Sequence, residues 1–254
     1  MTLLSVERIK FFSTRSPWWC MALALGLVIG FGTLLAASAN RVEAVNVPSS
    51  QFGFSFGLAV ILVLAALAIT TEYRFSTIRA TFQAIPNRNA VLLAKTTVVA
   101  LFAGLIGLVA AFGSLAISKA IKPASDLALN TAFEWRTVAG VGLVYAIAAV
   151  IAVSVGSLIR HSAGAISVLL IYTQLVESLV SLIPKVGDDI QKWMPFNNAN
   201  KFLTGNPDLT ARPVSEGPGL SNAPLSPWWA LAYFLGIAIV FLITSLVVAN
   251  KRDA

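Results

Sequence analysis

Few side chains in this sequence could perform chemistry, and their types exclude the common catalytic and metal-binding arrangements. The 254 residues include one cysteine, Cys20, and one histidine, His161. An internal disulfide, a multi-cysteine metal site and a histidine-based metal site are therefore excluded. The sequence contains no G-x-x-x-x-G-K-[ST] phosphate loop, no H-E-x-x-H motif and no G-x-S-x-G motif. We expect the chain to have no catalytic, cofactor or metal site of its own.

One acidic residue lies inside an apolar run. Glu177 stands with Gln174, Ser178 and Ser181 at helical spacings that predict one polar face. A charge near the bilayer centre costs about 2.5–3.5 kcal/mol on insertion scales, so this side chain should face the helix bundle or water. The face could line a translocation path or an ion pathway. Alternatively, Glu177 could be a structural carboxyl, protonated or hydrogen-bonded to a neighbouring helix.

A charged segment at 71–95 interrupts the apolar sequence between two long hydrophobic runs. Within it, a narrow apolar stripe recurs at helical spacing and predicts a short helix over 75–85, which Pro86 ends. Arg74 and Arg79 flank this stripe. We expect the helix to lie at the membrane surface, where a soluble partner protein could bind it. The stripe consists of Phe75, Ile78, Phe82 and Ile85.

The composition indicates an integral membrane protein. Hydrophobic residues make up 57% of the chain and charged residues only 11%, against about 25% in an average soluble domain. Runs long enough to cross about 30 Å of hydrocarbon predict an all-α fold with six transmembrane helices in a single domain, 1–254. An interfacial helix at 1–17 precedes them, and a long external loop covers 184–226. The predicted spans are 18–39, 54–71, 90–117, 135–158, 163–183 and 228–249.

The distribution of basic residues predicts the orientation of the bundle. With both termini inside, ten Lys and Arg residues fall in short inner segments and eight in much longer outer loops. This bias is the one seen between cytoplasmic and external segments, so we expect cytoplasmic termini. The net charge of +7 is thereby explained by membrane anchoring, without a nucleic-acid partner.

Small residues on the first span form a G-x-x-x-G pattern at Gly26 and Gly30. Small residues let two helices approach closely. The pattern predicts either packing within the subunit or a seam between two subunits.

Several segments together resemble the ABC-2 family of ABC-transporter permeases, the membrane subunits of type V-like ATP-driven exporters. Glu7–Trp19 (ERIKFFSTRSPWW) is similar to the family's N-terminal connecting helix, and the terminal Lys-Arg-Asp-Ala resembles a frequent basic tail. Glu72–Lys95 resembles the conserved-looking E-Y-R-x-x-T-I-R-x-T…P-x-R…A-K stretch that follows the second span. Trp193–Leu203 (WMPFNNANKFL) is similar to a Pro-x-Asn-Ala segment outside helix five.

The resemblance implies a role for each part. The helix over 75–85 would be the coupling helix that docks on a separate ATPase, with Glu72, Arg74 and Arg79 as charged contacts. Two ATPase copies would bind ATP and magnesium, and a second permease, identical or different, would complete a dimer in the plasma membrane. Helices two and five would line the path of an amphipathic or lipophilic cargo. The alternatives are a non-transporting anchor or sensor, and an ion or proton pathway that uses Glu177.

Overall fold

The computed structural model of the chain describes residues 3–39, 45–85, 87–205 and 221–251. Within these ranges the chain forms helices joined by turns, without any strand. Six of the helices are long and apolar enough to cross a membrane. The all-α, six-span prediction is confirmed.

The fifth span, Ser162–Leu182, is interrupted by a π-helical turn at Tyr172–Val176 and ends in a 3₁₀ turn at Val180–Leu182. The α-helices of the described ranges are α1 (Leu3–Ser13), α2 (Ser16–Ser38), α3 (Val47–Ser50), α4 (Phe54–Arg74), α5 (Thr77–Ala84), α6 (Arg88–Ile121), α7 (Ala132–Ile159), α8 (Ser162–Ile171), α9 (Glu177–Leu179), α10 (Gly187–Gln191), α11 (Pro195–Thr204) and α12 (Pro227–Lys251).

The predicted spans overlap the observed helices, but two boundaries change the interpretation. Helix α6 has 34 residues, so at 1.5 Å per residue it is about 51 Å long and extends beyond the hydrocarbon. The segment predicted as an external loop at 184–226 instead contains α10 and α11. Three predicted features lie outside the described residues. They are Pro86, which is predicted to end the short helix, the part of the predicted loop at 206–220, and the terminal residues 252–254.

Helix α7 forms the centre of the bundle and contacts α4, α6, α11, α12 and the fifth span. Glycines permit its close approach to α6, because a Cβ at Gly107 would lie 3.0 Å from Cα of Gly142. Tyr145 on α7 is fully buried, and its hydroxyl donates a hydrogen bond of 2.7 Å to the carbonyl oxygen of Phe54 on α4. Close backbone contact and one buried hydrogen bond therefore join α7 to its two main neighbours.

Helix α11 enters the bundle from the end opposite to α1 and packs against α7 and α12. Its residues Phe202 and Leu203 are buried, and both lie against Gly140 on α7. The hydroxyl of Thr137 donates to the carbonyl oxygen of Leu203 at 2.8 Å. The sequence from 195 to 204 is thus part of the packed core.

The opposite end of the bundle brings together α1, α5, the turn between α7 and α8, and the last turn of α12; we call it the basic end. The guanidinium of Arg160 lies 5.0 Å from the centre of the Tyr73 ring. Arg88 donates to the carbonyl oxygen of Ala249 at 3.1 Å, and Asn250 donates to Asn89 at 2.8 Å. The basic end exposes the side chains of Arg8, Arg15, Arg74, Arg79 and Lys251.

We predict that Gly53→Ala destabilises the protein strongly. A Cβ at residue 53 would lie 2.6 Å from Cα and 2.7 Å from the carbonyl oxygen of Val28, and backbone cannot move aside as a side chain can. Overpacking of this kind costs about 1–3 kcal/mol, so the thermal denaturation midpoint in detergent should fall by several degrees. Gly236→Ala is the matched control on α12, where the described residues place no atom within 4 Å of the new Cβ. Equal midpoints for the two variants would show that α2 and α4 do not approach as described.

Candidate functional site

Four charged side chains form a cluster at the basic end of the bundle, which we call the ion cluster. The ammonium group of Lys95 on α6 lies 2.6 Å from Glu7 Oε2 on α1 and 2.8 Å from Glu72 Oε1 on α4. Lys10 Nζ lies 3.1 Å from Glu7 Oε1 and 3.8 Å from Glu72 Oε1. Lys95 and Glu7 are almost fully buried. The ion cluster therefore fixes α1, α4 and α6 to one another.

Burial makes this cluster sensitive to the loss of any one member. Removing one partner of a buried ion pair leaves an uncompensated charge in a poorly solvated site. The orientation of α1 shows how far the ions determine the packing: Glu7 is buried while Leu4 and Ile9 on the same helix are exposed. The aromatic residues Phe11 and Phe12 pack edge-to-face on Phe102 of α6 and complete the attachment of α1.

Helix α5 follows α4 after a sharp turn at Ser76, whose φ of 57° lies in the left-handed region. Ile78 is buried, and Phe82 is half-buried with the guanidinium of Arg88 5.5 Å from its ring centre. Lys10 of the ion cluster donates a hydrogen bond of 2.9 Å to the hydroxyl of Thr81 on α5. This contact connects α5 directly to α1 and, through Lys10, to the ion cluster.

The geometry changes the predicted roles of the stripe residues. The helix begins at Thr77 rather than Phe75, and Phe75 is 68% exposed instead of packed on the bundle. Ile85 is the C-cap, half-buried at the end of the helix. Glu72, which we expected to pair with Arg74, Arg79 or a partner protein, contacts Lys95 and Lys10. The outward surface at the start of α5 therefore consists of Arg74, Phe75 and Arg79.

Sequence reasoning assigned Lys95 to membrane anchoring and did not connect it to Glu7. The feature of the sequence that indicates a buried ion pair is Lys95 itself. It is a lysine within an otherwise apolar third span, and such a charge requires a partner. The partner is 88 residues away in the sequence. Only the packing of α1 on α6 identifies it.

Glu177 caps the helix that enters the bundle. Its carboxylate oxygens accept hydrogen bonds from the backbone N–H groups of Phe196 at 3.0 Å and Asn197 at 2.8 Å, both in the first turn of α11. The side chain is buried. A carboxylate at a helix N-terminus is favoured by the helix dipole and satisfies N–H groups that have no partner within the helix.

Glu177 is separated from the other three residues of the predicted polar face on the fifth span, which follow one another through hydrogen bonds from Ser178 to Gln174 and from Ser181 to Ser178. Gln174 and Ser178 are exposed, Ser181 is half-buried, and Glu177 is buried against α11. Gln174 lies in the π-helical turn, where the register departs from that of a regular α-helix. The structural alternative that we left open for Glu177, a carboxyl hydrogen-bonded to a neighbouring helix, matches this geometry.

Comparison with known families identifies the architecture. Residues 3–176 match the family model described as an ABC-2 family transporter protein. The chain belongs to the ABC-2 transporter family. The match includes α1, the ion cluster and α5, and it ends immediately before Glu177. A comparison with curated proteins returned no match.

The G-x-x-x-G pattern of this ABC-2 permease faces away from its own bundle. Gly26 and Gly30 are exposed, and no atom of the described residues would lie within 4 Å of a Cβ at either position. Packing of α2 within the subunit instead uses Gly32, Ala24 and Val28. The expectation of intramolecular packing at Gly26 and Gly30 is therefore not met by the described part of the chain, and a seam between subunits stays a prediction.

We predict that Lys95→Met lowers the stability of the ABC-2 permease more than any exposed charge removal. The change leaves the buried Glu7 and Glu72 with only Lys10, which is 34% exposed and lies farther away than Lys95, and breaking a buried pair costs about 3–5 kcal/mol. The measurement is the thermal denaturation midpoint in detergent. Lys192→Met, which removes an exposed pair with Asp189, should leave the midpoint unchanged. Combining Glu7→Gln with Lys95→Met should recover part of the loss, and no recovery would argue against charge burial as the cause.

We predict that Glu177→Gln weakens the attachment of α11 without abolishing transport. A glutamine presents one carbonyl oxygen, so one of the two N–H groups at the start of α11 loses its acceptor, at a cost of about 1–3 kcal/mol. Thermal denaturation and ATP-dependent transport would be measured together. Asp188→Asn, which neutralises an exposed carboxylate on α10, should change neither. Loss of flux in Glu177→Gln with unchanged stability would favour the ion-pathway alternative instead.

Proposed function

We propose that this chain is the permease subunit of an ATP-driven exporter and that a separate ATPase drives it through α5. The observation that carries this proposal is the connection between an outward-facing surface and a buried charge network. Arg74, Phe75 and Arg79 face outward, while Ile78 on the same segment is buried. A helix held on one side and exposed on the other can transmit movement from a docked partner.

The ion cluster gives this movement a route into the membrane. The hydrogen bond from Lys10 to Thr81 and the ion pairs of Lys95 connect α5 to α1, α4 and α6. Packed helices joined in this way move as a rigid body rather than deforming individually. Displacement of α5 by ATP-dependent closure of the partner would therefore tilt α1, α4 and the inner half of α6 together.

The partners follow from the faces that the bundle leaves exposed. The large apolar residue Phe75 at the basic end is suited to a groove on an ATPase, and two ATPase copies would serve a permease dimer. The exposed face of α2 with Gly26 and Gly30 is our candidate for contact with a second permease, identical or different. The basic end would face the cytoplasm in the plasma membrane, because its exposed arginines follow the bias of cytoplasmic segments.

Cargo is proposed from the chemistry of the exposed transmembrane faces. Leu175 and Leu179 of the fifth span are exposed and apolar, and each follows an exposed polar residue, Gln174 or Ser178. Helix α4 contacts this span and is itself largely apolar. A path along these helices favours an amphipathic or lipophilic molecule over an ion. ATP and magnesium would bind in the partner.

We predict that Phe75→Asp uncouples the permease from its ATPase while leaving the fold intact. The side chain is 68% exposed, so a charge there costs the isolated permease little. A buried aromatic anchor contributes about 2 kcal/mol or more to an interface, so association should weaken by about thirtyfold or more. The measurements are ATPase co-purification and ATP-dependent efflux from proteoliposomes.

Two controls separate docking from folding. Val186→Asp changes an exposed apolar residue beyond the outer end of the fifth span and should leave ATPase association unchanged. Phe82→Ala removes a half-buried side chain and should lower thermal stability as well as coupling. Normal ATPase binding by Phe75→Asp would contradict docking at this surface. If the wild-type permease binds the ATPase but shows no ATP-dependent efflux, the alternative of a non-transporting anchor or sensor would be favoured.

A further inference from the structure

A cleft of about 550 Å³ lies beside the ion cluster, between α1, the start of α2, α4 and the start of α5, where Phe75 and Thr77 line it. Leu64, Leu67 and Ala68 of α4 form its apolar wall, and Lys10, Glu72 and Lys95 lie at its polar end. Its volume falls within the range of small-molecule sites, about 300–1,000 Å³. Apolar and charged surfaces thus meet in one cavity at the boundary between the hydrocarbon and the basic end.

The position of the cleft matches the headgroup level of one leaflet. Glu72 is in the last turn of α4, and Leu64 lies two turns deeper along the same helix. At 1.5 Å per residue, the apolar wall begins about 6 Å from Glu72 and continues toward the membrane centre. An occupant with a polar head and a hydrocarbon chain would therefore lie along α4 with its head at Glu72.

Glu72 shows which polar group the occupant should carry. Its Oε1 atom contacts Lys95 and Lys10, whereas the buried Oε2 atom accepts no hydrogen bond from the described residues. A buried carboxylate oxygen without a donor is unfavourable, and a charged N–H donor satisfies it most strongly. A primary ammonium offers three such donors, whereas a quaternary ammonium offers none.

The charge of the cleft restricts the occupant further. The ion cluster contains two carboxylates and two ammonium groups, so these four side chains are neutral in sum. In the lining of the cleft, Lys10 offers a cation to a phosphate and Glu72 offers an anion to an ammonium group, so a zwitterionic headgroup matches both, whereas an anionic headgroup leaves Glu72 Oε2 without a charged donor. The side chain of Lys10 is 34% exposed and can contact a phosphate while remaining beside Glu7.

We propose that this cleft binds a phospholipid with a primary ammonium headgroup from the leaflet at the basic end. The ammonium group donates to Glu72 Oε2, the phosphate contacts Lys10, and the first part of an acyl chain lies on Leu64, Leu67 and Ala68. This lipid site is formed by the permease alone and is tested without an ATPase, although Phe75 of the proposed docking surface also lines the cleft.

Native mass spectrometry of the purified full-length permease tests the headgroup preference. The protein would be titrated with phosphatidylethanolamine, phosphatidylcholine and phosphatidylglycerol of identical acyl chains. We expect bound phosphatidylethanolamine to exceed each of the others by about tenfold, as one charge-assisted hydrogen bond to a buried group predicts. Equal binding of the three lipids, or preference for phosphatidylglycerol, would overturn the proposal.

Two variants separate headgroup recognition from folding. Glu72→Gln should remove the preference for the primary ammonium, because an amide cannot satisfy it as a carboxylate does. Leu67→Trp leaves the ion cluster intact and fills the apolar wall, so it should reduce the phosphatidylethanolamine adduct by a similar factor. Leu101→Trp, at a position on α6 that is 70% exposed, is the matched control and should bind as the wild type does. Wild-type binding by Leu67→Trp would place the lipid elsewhere and refute the site.

Photo-crosslinking identifies the occupant in the membrane. A benzophenone side chain introduced at residue 67 of the full chain should crosslink to phosphatidylethanolamine in native membranes. Crosslinking to another protein subunit instead would show that a partner covers the cleft, and the lipid proposal would then be wrong.

Discussion

A buried lysine held between two carboxylates is the contact on which the basic end of this permease depends. Lys95 lies within 3 Å of both Glu7 and Glu72, and these three residues belong to three different helices. Withdrawing ions from water is expensive unless each is paired, so only an arrangement that brings α1, α4 and α6 together is favourable. Glu7 and Phe11 are buried on α1 while Leu4 and Ile9 are exposed, so the ions and the aromatic contact together determine which face of this helix meets the bundle. The position of α5 follows, because Lys10 contacts both the ion cluster and Thr81.

A second constraint governs the opposite end, where a helix terminus is buried. The first turn of a helix has N–H groups without partners in the helix, and burial leaves few waters to satisfy them. In α11 Pro195 has no N–H group, and Glu177 accepts from Phe196 and Asn197. The next N–H group, of Asn198, donates to the carbonyl oxygen of Met194. The whole first turn is therefore satisfied, and the single acid of the fifth span has a structural explanation. The same contact fixes α11 against the span that we propose to line the cargo path.

The two proposals meet at Glu72. One carboxylate oxygen joins α4 to α6 through Lys95, and the other is buried without a donor, in a residue that lines the cleft proposed to hold a lipid ammonium group. A bound ammonium group would share the negative charge of Glu72 with Lys95, and the lipid would fill the space between α1 and α4. The stiffness of the connection between α5 and the spans would then depend on the composition of the surrounding leaflet. This links an energy-coupling surface to membrane lipid through a single side chain.

Hydrophobic runs predicted the six spans because their lengths are set by the bilayer, a constraint that acts on each segment separately. The segment 75–85 was identified as a short helix for a similar local reason, since its apolar spacing and flanking arginines are visible in sequence. The helix begins at Thr77 and not at Phe75, because the left-handed turn at Ser76 redirects the chain. The spacing of apolar residues does not contain that information.

Contacts between distant segments were decided by the tertiary structure. The pairing of Lys95 with Glu7, the burial of α11 in the predicted external loop, and the outward face of Gly26 and Gly30 all depend on which helices become neighbours. The sequence by itself determined the number and approximate limits of the spans, since burial in lipid demands about 20 apolar residues from each. The tertiary structure decided which charges and helix ends meet, because a buried ion or N–H group requires a partner whose location only packing can define.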